Sequence, residues 1–431
     1  MSTSSADLPI DETSRARLAD EGLRLAVVDR TDPAAYEAWF RAETRGFHDA
    51  APSPETIAQR HRGLEADRRL VGVFDDTAGI PEQPVATTIC WPADLTVPGR
   101  RAVPAWAVSG VTVSPTHRRR GIARALMEAE LRTALALDLP AAMLTVSEST
   151  IYARFGYAPA AFARDLTIST RRVRWTGPVP DGRVRLVTAE QMRDDGPAIV
   201  ERVRLGRPGE MSYAGHLWTR QLGLGPGDKD AKKLRIVRYD DADGTPQGFA
   251  VYDLTMDPAD FADHELKVRT LVAATPDAYA GLWRYLLEVD LVSTVTAHLR
   301  PVDEPLRWMI DDFRAVRVNE LDHLWVRVLD VPSALGARSY GEPGRLVISI
   351  DDPLGFAAGT WAVDVDAEGE ATVTATDDPA DVWMTVNALG SLYLGGVPAR
   401  TLIAAGSLTG DAERLDRMFR APVEPYLSIW F

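Results

Sequence analysis

Apolar positions recur along this chain with two different periods, and the changes of period mark out its elements. The runs "LRLAVVD", "RLVGVFDD", "QPVATTICWPADLTVPG" and "PAWAVSGVTVSP" are rich in β-branched residues and are separated by Pro, Gly and Asp, which predicts four successive strands. The spacing then lengthens. Ile122, Ala125, Leu126, Ala129, Ala136 and Leu137 keep near-helical spacing and predict a helix from Gly121 to Leu137, with Glu128 and Arg132 as an i,i+4 ion pair. "AAMLTVS" predicts a buried strand, and "STIYARFG" a short helix capped by Ser149. Strands followed by strand, helix, strand and helix make a mixed α/β layered domain over residues 23–175, after a loose polar lead-in at 1–22.

The Pro/Gly/Arg-rich stretch "TRRVRWTGPVPDGR" reads as a connector. Residues 176–324 then repeat the layout, with a hairpin around Asp243-Gly244, a strand "ELKVRTLVAATP", a helix "DAYAGLWRYLLEVD" and a strand "VSTVTAHLR". Aligning Gly121 with Gly281 sets Ala278, Tyr279 and Ala280 opposite Arg118, Arg119 and Arg120, so the second copy lacks the arginines and the architecture does not require them. Residues 325–431 form a third part. It carries the strands "GRLVISID", "GTWAVDVD", "EATVTATD" and "VWMTVN", helical stretches at 388–394 and 398–419, and an abrupt end in "PYLSIWF".

A length of 431 residues suits two to four domains, each with its own core. The formal charge of -14 speaks against general nucleic-acid binding and is compatible with cationic substrates. No apolar run reaches the roughly 18–20 residues of a membrane helix, and the polar N-terminus has no secretory h-region, so no membrane partner is expected. Cys90 is the single cysteine, which excludes a disulfide framework and fits a reducing, cytoplasmic setting. The 7 histidines show no HExxH or His-x-His spacing, so no metal is expected. Lysine stands only at positions 229, 232, 233 and 267, a bias that reads as genome composition.

Composition leaves one local feature unexplained. In "VTVSPTHRRRGIARALM" three arginines stand side by side between a strand and a helix start. They are either a solvated basic turn or a site for an anion. A helix start favours an anion through its free N–H groups and dipole. Gly121 and Ala123 leave room for a phosphate to approach the backbone, and the strand holding Val111 and Val113 could pair with an extended ligand. A pyrophosphate cradle beside a peptide-like arm describes coenzyme A. The pattern Arg118-x-x-Gly121-x-Ala123 resembles the R/Q-x-x-G-x-G/A signature of the GCN5-related N-acetyltransferase (GNAT) superfamily.

"VTVSPTHRRRG", "IYARFGYAPA", "LWVRVLDVPSALGARSY" and "LGSLYLGG" together resemble the enhanced intracellular survival (Eis) family of actinobacterial N-acetyltransferases, in family order and over nearly the whole chain. That resemblance implies an α/β fold of mixed sheets: two tandem GNAT-like domains, the second degenerate, and a C-terminal sterol-carrier-like α+β domain. It implies an acyltransferase that uses acetyl-CoA, assembles as a hexamer, and acetylates amines such as aminoglycosides and lysine side chains. The coenzyme loop then maps onto Val111, Thr112, Val113, Arg118, Arg119, Arg120, Gly121, Ile122, Ala123, Arg124, Ser147 and Glu148. Tyr152 maps onto the general acid, or is a core aromatic; Phe155 and Tyr157 read as packing residues and His117 as a loop residue.

The general base of the family maps onto the chain-terminal carboxylate of Phe431. "LSIWF" is apolar to its last residue, which suits a buried base or the simple docking of a final strand. One departure stands: a family member has an acidic residue just before the final phenylalanine, where this chain has Trp430. Asp49 could supply negative charge to the amine pocket instead, or is a turn aspartate. The competing function is a lipid or small-ligand binding protein acting through its C-terminal domain, with the coenzyme site regulatory. Retention of Tyr152 together with the arginine loop favours the enzyme.

Overall fold

The computed structural model describes residues 5–213, 215–225, 231–260 and 262–431; the first four residues of the lead-in and Lys229 lie outside them. The chain divides into two units. One joins residues 1–160, 324–420 and 431; the other joins 161–323 and 421–430.

In the first unit the segment expected as a loose lead-in contains helix α1 (Glu12–Ala19), capped by the Asp11 carboxylate, which accepts from Ser14 N at 2.8 Å. There follow β1 (Arg24–Val27), α2 (Pro33–Gly46), α3 (Pro54–Arg62), β2 (Arg69–Phe74), β3 (Ala86–Val97) and β4 (Arg101–Val113). After them come α4 (Ile122–Ala136), β5 (Ala141–Thr145), α5 (Ser149–Tyr152) and β6 (Ala158–Ser169). Ser149 is the first helical residue of α5, not its cap; Glu148 holds that place and makes no side-chain cap bond. Strands β1 to β4 are antiparallel neighbours, and β5 joins β4 in parallel. Helices α1 and α4 cover one face through Leu18, Ala125, Leu126 and Ala129, packed on Leu25, Val71 and Val73. Helices α2 and α3 cover the other through Tyr36, Trp39 and Ile57 on Leu70. The predicted Glu128–Arg132 pair forms at 3.4 Å, and Arg17 of α1 reaches the same carboxylate at 3.1 Å.

The central part runs β7 (Arg183–Val187), α6 (Ala189–Arg204), α7 (Gly215–Gln221), β8 (Arg235–Asp240), β9 (Pro246–Thr255), β10 (His264–Ala273), α8 (Pro276–Leu287), β11 (Val292–Arg300) and β12 (Val316–Val328). The second unit orders its strands β6-β11-β10-β9-β8-β7, with only β10 and β11 parallel. The Asp243-Gly244 hairpin joins β8 to β9, with Gly244 at φ 84°. The alignment of Gly281 with Gly121 does not hold. Gly281 lies inside α8 against Tyr239, whereas Gly121 precedes α4, so the counterpart of the arginine loop is the Ala274-Thr275 turn. It too has no arginine.

The C-terminal part holds α9 (Val331–Gly336), β13 (Gly344–Asp351), β14 (Gly359–Val365), β15 (Ala371–Ala375), β16 (Val382–Thr385) and α10 (Val386–Leu392). The stretch expected to be helical over 398–419 is instead α11 (Ala399–Ala404), β17 (Leu408–Gly410) and α12 (Ala412–Phe419). Gly406 and Gly410, at φ 74° and 112°, break the helix and let Leu408 pair with Met384. Residues 421–431 form no strand. Within the second unit, Ser428 donates to the buried Glu210 carboxylate from N (3.3 Å) and Oγ (3.0 Å).

The last residues of β12 pair antiparallel with β5 and carry Arg327 into the core of the first unit. Its guanidinium donates to Asp352 at 2.6 Å, to Phe155 O at 2.9 Å and to Val328 O at 2.6 Å. A Cβ on Gly156 (φ 85°) would come within 2.5 Å of Arg327 Nε, so the glycine of "RFGYAP" meets two demands at once. Removing one partner of a buried pair strands the other charge, at about 3–5 kcal/mol. Asp352→Ala is therefore expected to lower the Tm of the first unit by roughly 10 °C in scanning calorimetry. The exposed Asp351→Ala should leave it in place; equal Tm values for the two variants would show that Arg327 reaches water.

Candidate functional site

Strand β4 does not stay in register with its neighbours. Ser109 pairs with Ile89 and Thr112 with Thr87, so one extra residue is inserted on β4 around Gly110. Gly110 has φ 60°, and a Cβ there would press on Ile89 Cγ2 at 3.0 Å. Threonine hydroxyls fix the bulge: Thr87 donates to Gly110 O (2.9 Å), Thr88 to Ser109 O (3.0 Å), and Thr87 and Thr112 share a 2.7 Å hydrogen bond. The β4–β5 ladder ends at Ala107 and Met143. Beyond it no β4–β5 pair forms among the described residues, and Val111, Thr112 and Val113 on β4 and Thr145 on β5 lie past the end of the ladder.

The arginine loop lies beyond the end of β4. Gly121, at φ 73°, stands at the N-cap of α4 and supplies no side-chain cap, which leaves the first N–H groups of that helix without one. Ile122 is buried in the core beneath the loop, and Ala123 is the next helical residue. The arginines separate by role. Arg120 donates to Glu21 O at 2.6 Å and lies 3.5 Å from Asp75; Arg124 pairs with Glu128 at 2.7 Å. Arg118 and Arg119 are exposed, and no hydrogen bond or ion pair engages either among the described residues. His117, expected as a plain loop residue, is tied to Asp75 at 3.0 Å. Hydrogen bonds from Thr77 and then from His117 hold the Asp75 carboxyl well below the usual carboxylate range.

Tyr152 is buried, ending α5 beside the edge-on ring of Tyr157 at 6.4 Å. Burial, with the nearby Glu148 carboxylate adding to it, pushes its phenol up, so it keeps its proton. Asn387 of α10 fixes the turn that follows by donating to Ala153 O (2.8 Å) and Tyr157 O (2.9 Å). Ser147 and Glu148 are exposed at the end of β5.

Phe431 is buried, and its main-chain oxygen accepts from the Thr145 hydroxyl at 2.7 Å, past the end of the β4–β5 ladder. Its ring meets Trp91 edge-on at 5.6 Å, and Arg68 covers the other part of that wall, 3.6 Å from the indole. Trp91 Nε1 is buried without a hydrogen-bond partner among the described residues. Asp49 is exposed in the loop after α2. Trp430 belongs to the second unit, where its ring lies on His323 at 5.1 Å and its carbonyl accepts from Arg220 at 2.7 Å. Gly110, Trp91, Thr145 and Glu43 were missed from the sequence. A glycine inside the strand "AVSGVTV" signals a bulge; the other three are ordinary strand or helix residues with no local signature.

The second unit has the same parallel pair without the opening. Pairing of β10 with β11 ends at Val268 and Ala297, but Arg300 fills the divergence, donating to Leu271 O at 3.0 Å and paired with Glu304 at 3.1 Å. Helix α8 is capped by Thr275, which accepts from Ala278 N at 3.1 Å. A cavity of about 150 Å³ is left beside Arg300, Tyr279 and Tyr426.

Among the described residues no helix is long and apolar enough to cross a membrane. Residues 28–160 match a family model described as an acetyltransferase (GNAT) domain, residues 209–328 match another of the same description, and 331–428 match a sterol carrier protein domain. An uncharacterized N-acetyltransferase of Streptomyces griseus is 34% identical over 409 residues, covering 91% of this chain and 97% of its own. The N-acetyltransferase Eis of Mycobacterium tuberculosis is 36% identical over 369 residues, 81% of this chain and 87% of its own. The crystal structure of Eis1 from Mycobacterium abscessus superimposes with a TM-score of 0.80 at 29% identity, over 95% of this chain and 100% of that one. The GNAT domains imply acetyl-CoA as donor. Two tandem GNAT domains followed by a sterol-carrier-like domain place this enzyme in the Eis family of N-acetyltransferases.

Proposed function

We propose that the chain transfers acetyl from acetyl-CoA to a primary amine, of an aminoglycoside-like polyamine or a lysine side chain, within the cleft of the first unit. One contrast carries this reading: the N-terminal copy has an open β4–β5 divergence under an uncapped helix start, whereas the central copy has both filled by its own side chains. Arg118, Arg119 and the N–H groups of Gly121 to Arg124 receive the pyrophosphate. The pantetheine arm runs along Val111 to Val113, bordered by Ser147 and Glu148. The amine attacks the thioester carbon, a C–N bond forms, and the oxyanion is held by a backbone N–H beside the bulge. The Phe431 carboxylate takes the proton of the attacking nitrogen. The C–S bond then breaks, and Tyr152 gives its proton to the thiolate, leaving an acetamide and coenzyme A. Asp49 is proposed to shape the amine pocket, and the family supports a hexameric assembly.

Charge-assisted phosphate contacts are worth about 1.5–3 kcal/mol each. Replacing Arg118 and Arg119 by alanine should therefore weaken acetyl-CoA binding at least tenfold in calorimetry. Removing Arg238 and Arg269, which are paired with Asp240 and Asp253, should leave the affinity unchanged. Equal losses for the two pairs would remove the cradle.

Tyr152→Phe should preserve acetyl-CoA affinity while lowering turnover by roughly 10²–10⁴, the usual contribution of a general acid. Amidating the Phe431 carboxylate by semisynthesis keeps the shape and removes the charge. That protein should fold and bind acetyl-CoA but release thiol at a rate lower by a similar factor. Full thiol release by either protein would reassign that proton to another group.

A further inference from the structure

Helix α2 ends on top of the β4 bulge. A Cβ built on Gly46 would come within 2.4 Å of the Thr112 side chain, so helix and strand touch there with no space between them. Residues three apart share a helix face. One turn before Gly46, the γ carbon of Glu43 lies 3.8 Å from the place a Gly110 Cβ would take. The missing side chain at Gly110 thus leaves room for the Glu43 side chain to lie against the bulge.

Glu43 is half-buried, and no hydrogen bond or ion pair engages its carboxylate among the described residues. Its charged surroundings are Arg60 on α3 and Asp49 beyond the end of α2, and Tyr36 shares its own helix. Burial pushes its carboxyl up to about 7, with Arg60 opposing and Asp49 adding to the rise. A carboxylate drawn out of water is normally paired or hydrogen-bonded. This one has neither, and it stands beside the proposed position of the thioester.

We propose that Glu43 is the counter-ion of the acceptor, receiving the amine as a cation beside the bulge and so selecting acceptors that arrive positively charged. The inference rests on the acetyl-transfer reading above and gives that site its acceptor specificity. Glu43 binds charge and takes no proton in the transfer, which still delivers it to Phe431. The role also removes a difficulty left by Trp430, since the negative charge for an amine pocket comes from α2 and not from the tail.

Coenzyme A without its acetyl group fills the donor site and prevents turnover, so acceptor binding can be measured by itself. Spermidine, kanamycin and a lysine-containing peptide are titrated calorimetrically into the full chain saturated with coenzyme A, and into Glu43→Gln, Glu43→Ala and the exposed control Glu55→Gln. At least one amine should bind the unaltered chain and the control alike, and at least tenfold more weakly to both Glu43 variants, with coenzyme A affinity unchanged. Because a raised carboxyl is neutral below its pKa, affinity for that amine should rise about tenfold from pH 6 to 8 and stay flat in Glu43→Gln. Binding that is equal in all four proteins, or no amine binding at all, overturns the assignment. Binding that depends on Glu43 without thiol release from acetyl-CoA would keep the counter-ion and discard the transfer reading.

Discussion

One extra residue in β4 governs the rest of the first unit. A strand with unbroken register would have continued beside β5 and sealed the space between them, because unpaired backbone groups in a buried sheet are unfavourable. The bulge at Gly110 turns β4 aside; the hydroxyls of Thr87 and Thr88 donate to the carbonyls of Gly110 and Ser109, and Thr112 shares a hydrogen bond with Thr87. Each neighbouring feature uses the opening so made. Thr145, past the end of the β4–β5 ladder, donates to Phe431, and α2 settles on Thr112.

The central domain satisfies the same topology with its own side chains. Its parallel strands also part, yet Arg300 occupies the gap and Thr275 caps the following helix. An arginine with a buried glutamate partner and a threonine cap are ordinary ways of satisfying polar groups internally. The N-terminal copy has no side-chain cap at Gly121 and exposes two arginines there, which is the contrast the proposed coenzyme site rests on.

Much of this was legible in the residue pattern and some was not. The β-branched runs became β1 to β4, and the apolar spacing from Ile122 became α4, because both faces of that sheet are covered and most of that helix is buried, Ile122, Ala125, Leu126 and Ala129 in one cluster and Met127, Leu131 and Ala134 in another. Helices α2 and α3 were passed over, although Asp32-Pro33 and Ser53-Pro54 are helix-start signals. The arginine loop was visible as a cluster, but Arg120 and Arg118 are equivalent in sequence. Only the distant Asp75 and Glu21 decide which one is already engaged. Trp91, Thr145 and Glu43 have no motif around them; their position follows from tertiary packing alone.

The turn behind Tyr152 is completed by residues made much later. Arg327 bonds Phe155 across 172 residues of chain, and Asn387 bonds Ala153 and Tyr157 across 234 and 230. Contacts this remote must meet the entropy of closing long loops before they stabilise anything. On a ribosome adding about 5–20 residues each second, the Asn387 contacts become available some ten seconds or more after Tyr152 is made. The turn has one hydrogen bond of its own, from Gly156 N to Ala153 O at 3.0 Å; its remaining partners are not made until the C-terminal domain is synthesised.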